Sequence, residues 1–298
     1  MKQLLIIISF SFTVFSCQRE DPLHVDDIPG LGGDTWVKTP LDQWLYDSIT
    51  IPYNISIKYK WDQFELEINK TLVPPMEEKI IPAMRSLKKV WIEPYITEAG
   101  RVFFNKYSPK FFILAGSANW NIDGSVTLGT ADDGRKVMLY ELNEFRNKSM
   151  SGYTSADTGV LKQMFWVMEH EFTHILDQNV RRPVEFDAIS AGFYTSDWIN
   201  TSTMEARRDG VISAYALSRN YEDFAEMVSI MLTEGKSGFD AIVNSITETS
   251  IRGTTPEVAK ARLRQKEQLV VNYFKDAWNI DFYSLQTRKR QAIVEEMY

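Results

Sequence analysis

The sequence predicts an α+β fold in which a small mixed β-sheet lobe precedes a mostly helical lobe. Short apolar or alternating segments bounded by turn residues are concentrated in residues 41–150, and such segments are typical of strands. Longer segments with apolar residues at helical spacing dominate residues 151–298. Hydrophobic residues make up 44% of the chain and charged residues 24%, which indicates that residues 41–298 form a globular domain with a packed core.

Four segments of the first lobe have strand character. The first alternates apolar and polar residues from Ile55 to Tyr59, and the second is the apolar run 111–115. The last two, 125–131 and 136–142, flank Asp132-Asp133-Gly134, a turn sequence that predicts a β-hairpin. With one or two helices alongside, these strands predict a small mixed sheet.

Four helices are predicted in the second lobe. They cover residues 158–178, 220–233, 256–278 and 284–297, where apolar residues recur at helical spacing. The third has the clearest start, since Thr255 can cap the helix and Pro256 suits its first position. The fourth contains the basic run Arg288-Lys289-Arg290, for which a solvent-exposed face is expected.

The N-terminal residues resemble a bacterial lipoprotein signal. An apolar run, 4–15, is too short to span a bilayer as a stable helix, and it ends at the sequence Val14-Phe15-Ser16-Cys17. The resemblance implies that residues 1–16 are a signal peptide and that Cys17 is lipidated after cleavage. The alternative is an ordinary signal peptide with a stray cysteine. Residues 17–40, rich in Asp, Gly and Pro, are expected to form a flexible tether.

The net charge bears on the kind of partner, and the cysteine content bears on disulfide bonds. The formal net charge is −7 and the chain has no basic stripe, which argues against nucleic acid as a partner. Cys17 is the single cysteine. An exported form of this chain therefore makes no internal disulfide and is held together by packing.

The most informative segment is His170-Glu171-Phe172-Thr173-His174, an HExxH motif that uses two of the three histidines in the chain. Residues four apart lie on one face of a helix, so both imidazoles can reach one metal ion, and Glu171 can act as general base on a water molecule there. The apolar stripe of the predicted helix lies on the opposite face. We therefore predict that His170 and His174 bind one Zn²⁺ ion and that the expected chemistry is zinc-dependent hydrolysis.

A catalytic zinc site uses three protein ligands and keeps one position open. The remaining histidine, His24, falls in the tether, so a carboxylate is expected as the third ligand. Glu222 and Glu226 share one face of the helix that starts near residue 220. We predict Glu222 as the ligand and Glu226 as the residue that orients a ligand imidazole. The alternative is that such first-turn acids only offset the helix dipole, with Asn220 as cap and Asp223 as its capping-box partner.

The HExxH motif and the segment 222–226 together resemble the catalytic domain of anthrax lethal factor and its gluzincin relatives. In that group a tyrosine lies seven residues before the ligand glutamate, as Tyr215 lies before Glu222. The resemblance implies a zincin-like metallopeptidase fold, Glu171 as general base and Tyr215 as oxyanion stabiliser. Asp223 departs from the aromatic residue of that relative. Taken without the resemblance, a tyrosine at position 215 is often a packing residue.

A wider resemblance covers nearly the whole chain after residue 16. It rests on the segments 44–47, 52–55, 58–61 and 222–226 and on the HExxH helix, which are similar to the zinc-metallopeptidase lipoproteins of Bacteroidota. That family is associated with TonB-dependent import systems. The resemblance implies a protein that is lipid-anchored in the outer membrane, faces the cell surface or the periplasm, and has importer components as partners.

The sequence thus predicts a zinc metallopeptidase that hydrolyses peptide or protein substrates. The segment 136–142 is expected either to pair with extended substrate or to be an internal strand of the sheet. Two other functions stay open: a non-catalytic substrate-binding lipoprotein of an import complex, and a zinc amidase that acts on a non-protein amide. Specificity is open as well. A preference for acidic substrates would follow if arginines near the site are not simply solvated, and the candidates are Arg181, Arg182, Arg207 and Arg208.

Overall fold

A computed structural model describes residues 36–298, with the exception of residues 63–64, 66–69, 121–125, 128 and 133–135. The predicted signal peptide 1–16, Cys17, His24 and most of the tether 17–40 lie outside the described residues. Thr39–Tyr298 form one compact unit, and it contains every predicted site residue except Cys17.

The first part of this unit contains short helices and a small sheet. Helix α1 (Pro40–Leu45) starts with a capping box, in which Asp42 N donates to the Thr39 hydroxyl (3.3 Å) and Thr39 N donates to the Asp42 carboxylate (2.8 Å). A π-helical turn (Tyr46–Thr50) leads into α2 (Ile51–Tyr53). After β1 (Ser56–Lys58), helices α3 (Glu77–Leu87) and α4 (Glu93–Tyr107) follow, joined by a second π-helical turn, Lys88–Ile92.

The sheet is mixed and has four described strands. They are β1, β2 (Phe111–Leu114), β5 (Gly129–Asp132) and β6 (Lys136–Leu139), in the spatial order β1-β2-β6-β5. The first three in that order run parallel to one another, whereas β5 is antiparallel to β6, with Asp132 opposite Lys136. The antiparallel pairing expected of the predicted hairpin is therefore confirmed, whereas residues 133–135 of its turn lie outside the described residues. A separate antiparallel pair is formed by β3 (Asn119–Trp120) and β4 (Val126–Thr127).

The position of β6 corrects one expectation. Strand β6 pairs with β2 on one side and with β5 on the other, so its backbone hydrogen-bonding groups are already used within the sheet. Residues 136–139 of the segment 136–142 therefore form an internal strand, and the prediction that this strand pairs with substrate is wrong. Among the described strands, the edge that lies beside the later helices is β5.

The second part of the unit contains six helices. Their bounds are α5 (Thr158–Asn179), α6 (Val184–Ile189), α7 (Thr203–Arg208), α8 (Asn220–Asn244), α9 (Pro256–Trp278) and α10 (Phe282–Met297). All four predicted helix starts lie within two residues of these bounds, and the starts at residues 158, 220 and 256 are the same. Helix α5 packs along α8 and also contacts β5 and β6.

Helix α8 continues past the predicted end at residue 233 by bending at Gly235. Gly235 has a φ of 71°, a left-handed conformation that favours glycine, and an added Cβ would lie 2.7 Å from Arg290 Cγ. Two carbonyls beside the bend accept hydrogen bonds from α10 instead: Gln286 Nε2 donates to Met231 O (2.6 Å) and Arg290 Nη1 to Thr233 O (3.0 Å). The helix can therefore bend without leaving these carbonyls unpaired.

One hydrophobic core joins both parts of the unit. Trp91 is fully buried, and its ring contacts Phe172 of α5 edge-on, with centroids 5.3 Å apart. The predicted apolar stripe of α5 belongs to this core, which confirms the direction in which the helix faces. Within the described part of the chain, no helix combines the length and apolar character needed to cross a membrane. The predicted fold class, a small mixed sheet followed by a mostly helical lobe, is confirmed.

Candidate metal centre

Helix α5 places two imidazoles on the face opposite its core contacts. His170 and His174 are one helical turn apart, and their Nε2 atoms lie 3.0 Å from each other. The rings meet edge to face, with centroids 4.7 Å apart. Phe172, between them in sequence, points into the core. The helix thus separates a buried aromatic face from a face that presents two nitrogen ligands.

Helix α8 brings a carboxylate to the same point. Glu222 Oε2 lies 2.9 Å from His170 Nε2 and 3.1 Å from His174 Nε2. Within the described residues, these three side chains form a group that could hold a metal ion, with one ligand atom from each and all three atoms within 4.8 Å of one another. The structure therefore places Glu222, and not Glu226, beside the two imidazole nitrogens.

The geometry and charge of this group fit a small divalent cation. Tetrahedral zinc with bonds of roughly 2.0–2.1 Å separates its ligand atoms by roughly 3.3 Å, close to the separations found here. Burial alone would lower the pKa of His170, but hydrogen bonds to Glu222 and Glu226 raise it to about 10. Burial likewise opposes ionisation of Glu222, but bonds from both histidines keep its pKa below the usual range. The site therefore stabilises positive charge between its three ligand atoms.

Glu226 fixes the orientation of one ligand ring. His170 Nδ1 donates to Glu226 Oε1 (2.9 Å), and this bond turns the ring so that Nε2 is directed toward Glu222. The second Glu226 oxygen accepts a hydrogen bond from the Ser213 hydroxyl (2.6 Å). Because Glu226 is one helical turn after Glu222, α8 supplies both the carboxylate of the candidate metal group and the carboxylate that orients His170. Sequence reasoning did not identify Ser213, and no motif marks it.

Tyr215 lies against the same imidazole. It opens a 3₁₀ turn, Tyr215–Leu217, and its ring is tilted over His170 with centroids 5.8 Å apart. Burial raises the pKa of its phenol, and the nearby Glu222 carboxylate raises it further. The hydroxyl therefore stays protonated at neutral pH and is available as a hydrogen-bond donor.

The centre opens into a cleft of about 480 Å³. Glu171 lines this cleft together with both histidines and Glu222, although only 8% of the residue is exposed to solvent. Tyr221 also lines the cleft, and its ring meets that of His174 edge to face with centroids 5.8 Å apart. Apart from Tyr215, the remaining lining residues follow the HExxH motif in sequence, namely Asp177, Gln178, Arg181 and Arg182.

The residue after Glu222 has a role that differs from the predicted one. Arg219 occupies the cap position of α8 and Asn220 is already helical, so the expected capping box between Asn220 and Asp223 is wrong. Asp223 is fully buried, where its Oδ2 accepts from Lys266 Nζ (2.5 Å) on α9 and from the Tyr194 hydroxyl (3.1 Å). Helix α8 turns this acid inward while its neighbour Glu222 faces the cleft.

The residue before His170 has a matching arrangement. Glu169 is buried, and its carboxylate accepts from Lys289 Nζ of α10 and from the Tyr95 hydroxyl (2.9 Å). Lys289 also lies over the Tyr95 ring, 4.1 Å from its centroid. The expectation that the basic run 288–290 forms a solvated face is therefore wrong for Lys289, which is 1% exposed. Each ligand-bearing helix is thus joined to a C-terminal helix by a buried ion pair.

Comparisons with known proteins found a matching family and a similar solved structure. A family model described as "Putative zinc-binding metallo-peptidase" matches residues 34–283. Among solved structures, a crystal structure described as that of "a putative zinc-binding metallo-peptidase" from Bacteroides caccae ATCC 43185 is 32% identical in sequence, with a TM-score of 0.67. The match covers 86% of this chain and 92% of that chain. A comparison with the curated proteins found no match.

Proposed function

This chain belongs to the zinc-binding metallopeptidase family that its residues 34–283 match, and on that premise we propose that it is a gluzincin-type enzyme that hydrolyses peptide bonds. The observation that supports the finer assignment most directly is the position of Glu222 Oε2, 2.9 Å and 3.1 Å from the two Nε2 atoms of the HExxH motif. Two histidines and a distant glutamate form a three-ligand set, which leaves a fourth position for water or substrate.

In this proposal, different residues of the chain transfer the proton and stabilise the negative charge that develops on the carbonyl oxygen. His170, His174 and Glu222 would hold one Zn²⁺ ion, whose Lewis acidity would favour deprotonation of water and polarise a carbonyl group. Glu171 takes the proton from the attacking water and delivers it to the leaving amine. Tyr215, held in its protonated form, donates to the carbonyl oxygen as that oxygen gains negative charge.

The proposed path of the substrate follows β5. Extended peptides commonly bind by adding a strand to a free sheet edge. Strand β5 pairs with β6 and with no other described strand, and it contacts α5, which carries the HExxH motif. We therefore assign backbone recognition to the β5 edge, in place of the internal strand β6.

The location of the protein remains a proposal supported by its N-terminal sequence. We infer that Cys17 is lipidated, that the lipid anchors the protein in the outer membrane, and that the enzyme acts beside a TonB-dependent importer during nutrient uptake. Metabolic labelling with a radioactive fatty acid tests the anchor directly. Label is expected in the wild-type protein and absent from Cys17→Ala, and equal labelling of the two would contradict the anchor.

The enzymatic proposal is tested by measuring zinc content and peptide cleavage together. Wild-type protein is expected to bind one zinc ion per chain and to cleave peptides in a mixed library followed by mass spectrometry. Glu171→Gln is expected to keep the zinc and lose roughly 10²–10⁴-fold in rate, the usual contribution of a general base. Glu185→Gln, an exposed glutamate on α6, is the control and should cleave normally.

Zinc-loaded wild-type protein that cleaves no peptide of the library would overturn the peptidase assignment. In that case a binding role or hydrolysis of a different amide would have to be considered.

A further inference from the structure

The cleft extends beyond the metal centre along residues that follow the HExxH motif. It is lined there by Asp177, Gln178, Arg181 and Arg182. Helix α5 ends at Asn179, so the two arginines lie on the connection to α6. They are neighbours in sequence but differ in burial and in partners, and this difference indicates what the end of the cleft binds.

Arg182 is buried and forms ion pairs with acids of the protein itself. Its side chain is fully buried, and its guanidinium donates to Asp187 through Nε (2.7 Å) and Nη2 (3.2 Å) and to Asp177 through Nη1. Such a guanidinium is not available to a ligand, because removing it from these carboxylates would leave buried charges unpaired.

The two carboxylates that pair with Arg182 also accept hydrogen bonds within the protein. Asp177 accepts from both the backbone N (2.8 Å) and the Nη1 of Arg182. Asp187 accepts from Arg182 and also from Asn220 Nδ2 (2.8 Å), which belongs to the first turn of α8. Neither acid is therefore free to neutralise another cation nearby.

Arg181, by contrast, is exposed and lines the cleft. Among the residues that the structure describes, its guanidinium has no hydrogen-bond or ion-pair partner. The other arginines considered from the sequence are occupied: Arg207 Nε donates to Ile212 O (3.0 Å), and Arg208 pairs with Glu205 and Glu248. Arg181 is thus the one of these four that combines a position in the cleft with an available guanidinium.

The backbone on each side of Arg181 is anchored. The carbonyl of Val180 accepts a hydrogen bond from the Tyr273 hydroxyl (2.7 Å), and Arg182 is held by its two aspartates. A cation on a short segment fixed at both ends can bind a ligand without ordering the backbone, so that only side-chain freedom is lost. The backbone position of Arg181 is therefore fixed before a ligand binds.

We infer that Arg181 binds a carboxylate group of the peptide substrate, which makes acidic or C-terminal peptide segments the preferred substrates. This inference rests on the proposed peptidase function. A guanidinium matches a carboxylate with two parallel hydrogen bonds, and its five donors make the match more specific than an ammonium group would. The carboxylate has two possible sources, an Asp or Glu side chain or the C-terminus of the peptide.

The inference is tested by binding, in the Glu171→Gln background with zinc bound. The probes are fluorescent peptides of one neutral parent sequence: amidated, amidated with Glu placed at each position in turn, amidated with Lys in the same positions, and with a free C-terminus. At least one carboxylate-bearing peptide is expected to bind about tenfold more tightly than the amidated parent. Whether the Glu series or the free C-terminus shows the gain identifies the source of the carboxylate.

Substitutions at position 181 should then change the preference and leave the metal site intact. Arg181→Ala is expected to abolish the gain, and Arg181→Glu to favour the Lys peptides, with unchanged zinc content. The matched control is Arg85→Glu, an exposed arginine on α3 outside the cleft, which alters net charge equally and should keep the wild-type preference.

Equal binding of all peptides, or an acidic preference that survives Arg181→Ala, overturns the inference, as does failure of every peptide to bind. These outcomes are separable from failure of the peptidase proposal. Cleavage without any dependence on a carboxylate would leave the proposed enzyme standing, whereas Arg181-dependent binding without cleavage by wild-type protein would leave the recognition site standing.

Discussion

The metal centre depends on single side chains that differ in how clearly the sequence marks them. His170, Glu171 and His174 are recognisable from spacing alone, because an i, i+4 pair must share one helix face. The sequence also predicts Glu222 as the ligand and Glu226 as the orienting residue, although both acids lie on the same face of α8. The tertiary packing places Glu222 Oε2 beside both Nε2 atoms and Glu226 beside His170 Nδ1. Ser213 carries no sequence signal at all.

Substitution of Glu226 tests whether ring orientation controls metal affinity. Glu226→Gln keeps the size of the side chain but removes the negative charge beside His170 Nδ1–H. We expect zinc affinity to fall by about 10–100-fold, the usual effect of losing such a partner, measured by competition with a fluorescent chelator. Glu185→Gln serves as the exposed control, and equal affinities for the two variants would contradict the role given to Glu226.

Substitution of Tyr215 separates oxyanion stabilisation from packing. Tyr215→Phe keeps the ring against His170 and Trp198 but removes the hydroxyl. We expect kcat to fall by about 10²–10³-fold with little change in KM or zinc content, because the hydroxyl acts on charge that develops in the transition state. Tyr46→Phe, an exposed tyrosine in the first π-helical turn, should have no effect. An unchanged kcat for Tyr215→Phe would assign Tyr215 to packing alone.

Secondary-structure elements hold these side chains in place through two buried ion pairs. Glu169 precedes His170 on α5 and pairs with Lys289 of α10. Asp223 follows Glu222 on α8 and pairs with Lys266 of α9. Local patterns predict the helices themselves, including the capped start of α9. They do not predict which helices meet. Lys289 lies 120 residues from Glu169, and its local sequence predicts only a solvent-exposed basic run.

Removing one partner of a buried ion pair should lower the free energy of unfolding more than removing both charged groups. Lys289→Met leaves Glu169 buried without its cation, and we expect a loss of about 3–5 kcal/mol in the free energy of unfolding, measured by urea denaturation of the zinc-loaded protein. Glu169→Gln combined with Lys289→Met should recover most of this loss, because no buried charge remains and the amide can still accept from Tyr95. Lys275→Met, at an exposed position on α9, is the control. A double variant as unstable as the single one would show that the pair does not act through its charges.

At the scale of the whole domain, the order of the strands in the sheet was harder to predict than the positions of the helices. A helix is specified by residues near in sequence, whereas the order of parallel strands depends on pairings between distant segments. Sequence patterns located β1, β2, β5 and β6 but left open whether β6 was internal. Its pairing with both β2 and β5 is a property of the folded domain, and it moves the free edge nearest α5 to β5.

The two ends of the chain should therefore differ sharply in what their removal does. Deletion of residues 1–38 leaves the compact unit Thr39–Tyr298, with the whole core and the metal centre. We expect this shortened protein to keep the zinc content and thermal unfolding temperature of the full chain. Deletion of residues 282–298 removes α10, which covers α8 and supplies the cation for Glu169. That variant should be insoluble or fail to bind zinc, measured by the soluble yield and by metal analysis. A soluble, zinc-loaded protein without α10 would show that the ligand helices hold their positions by contacts with each other alone.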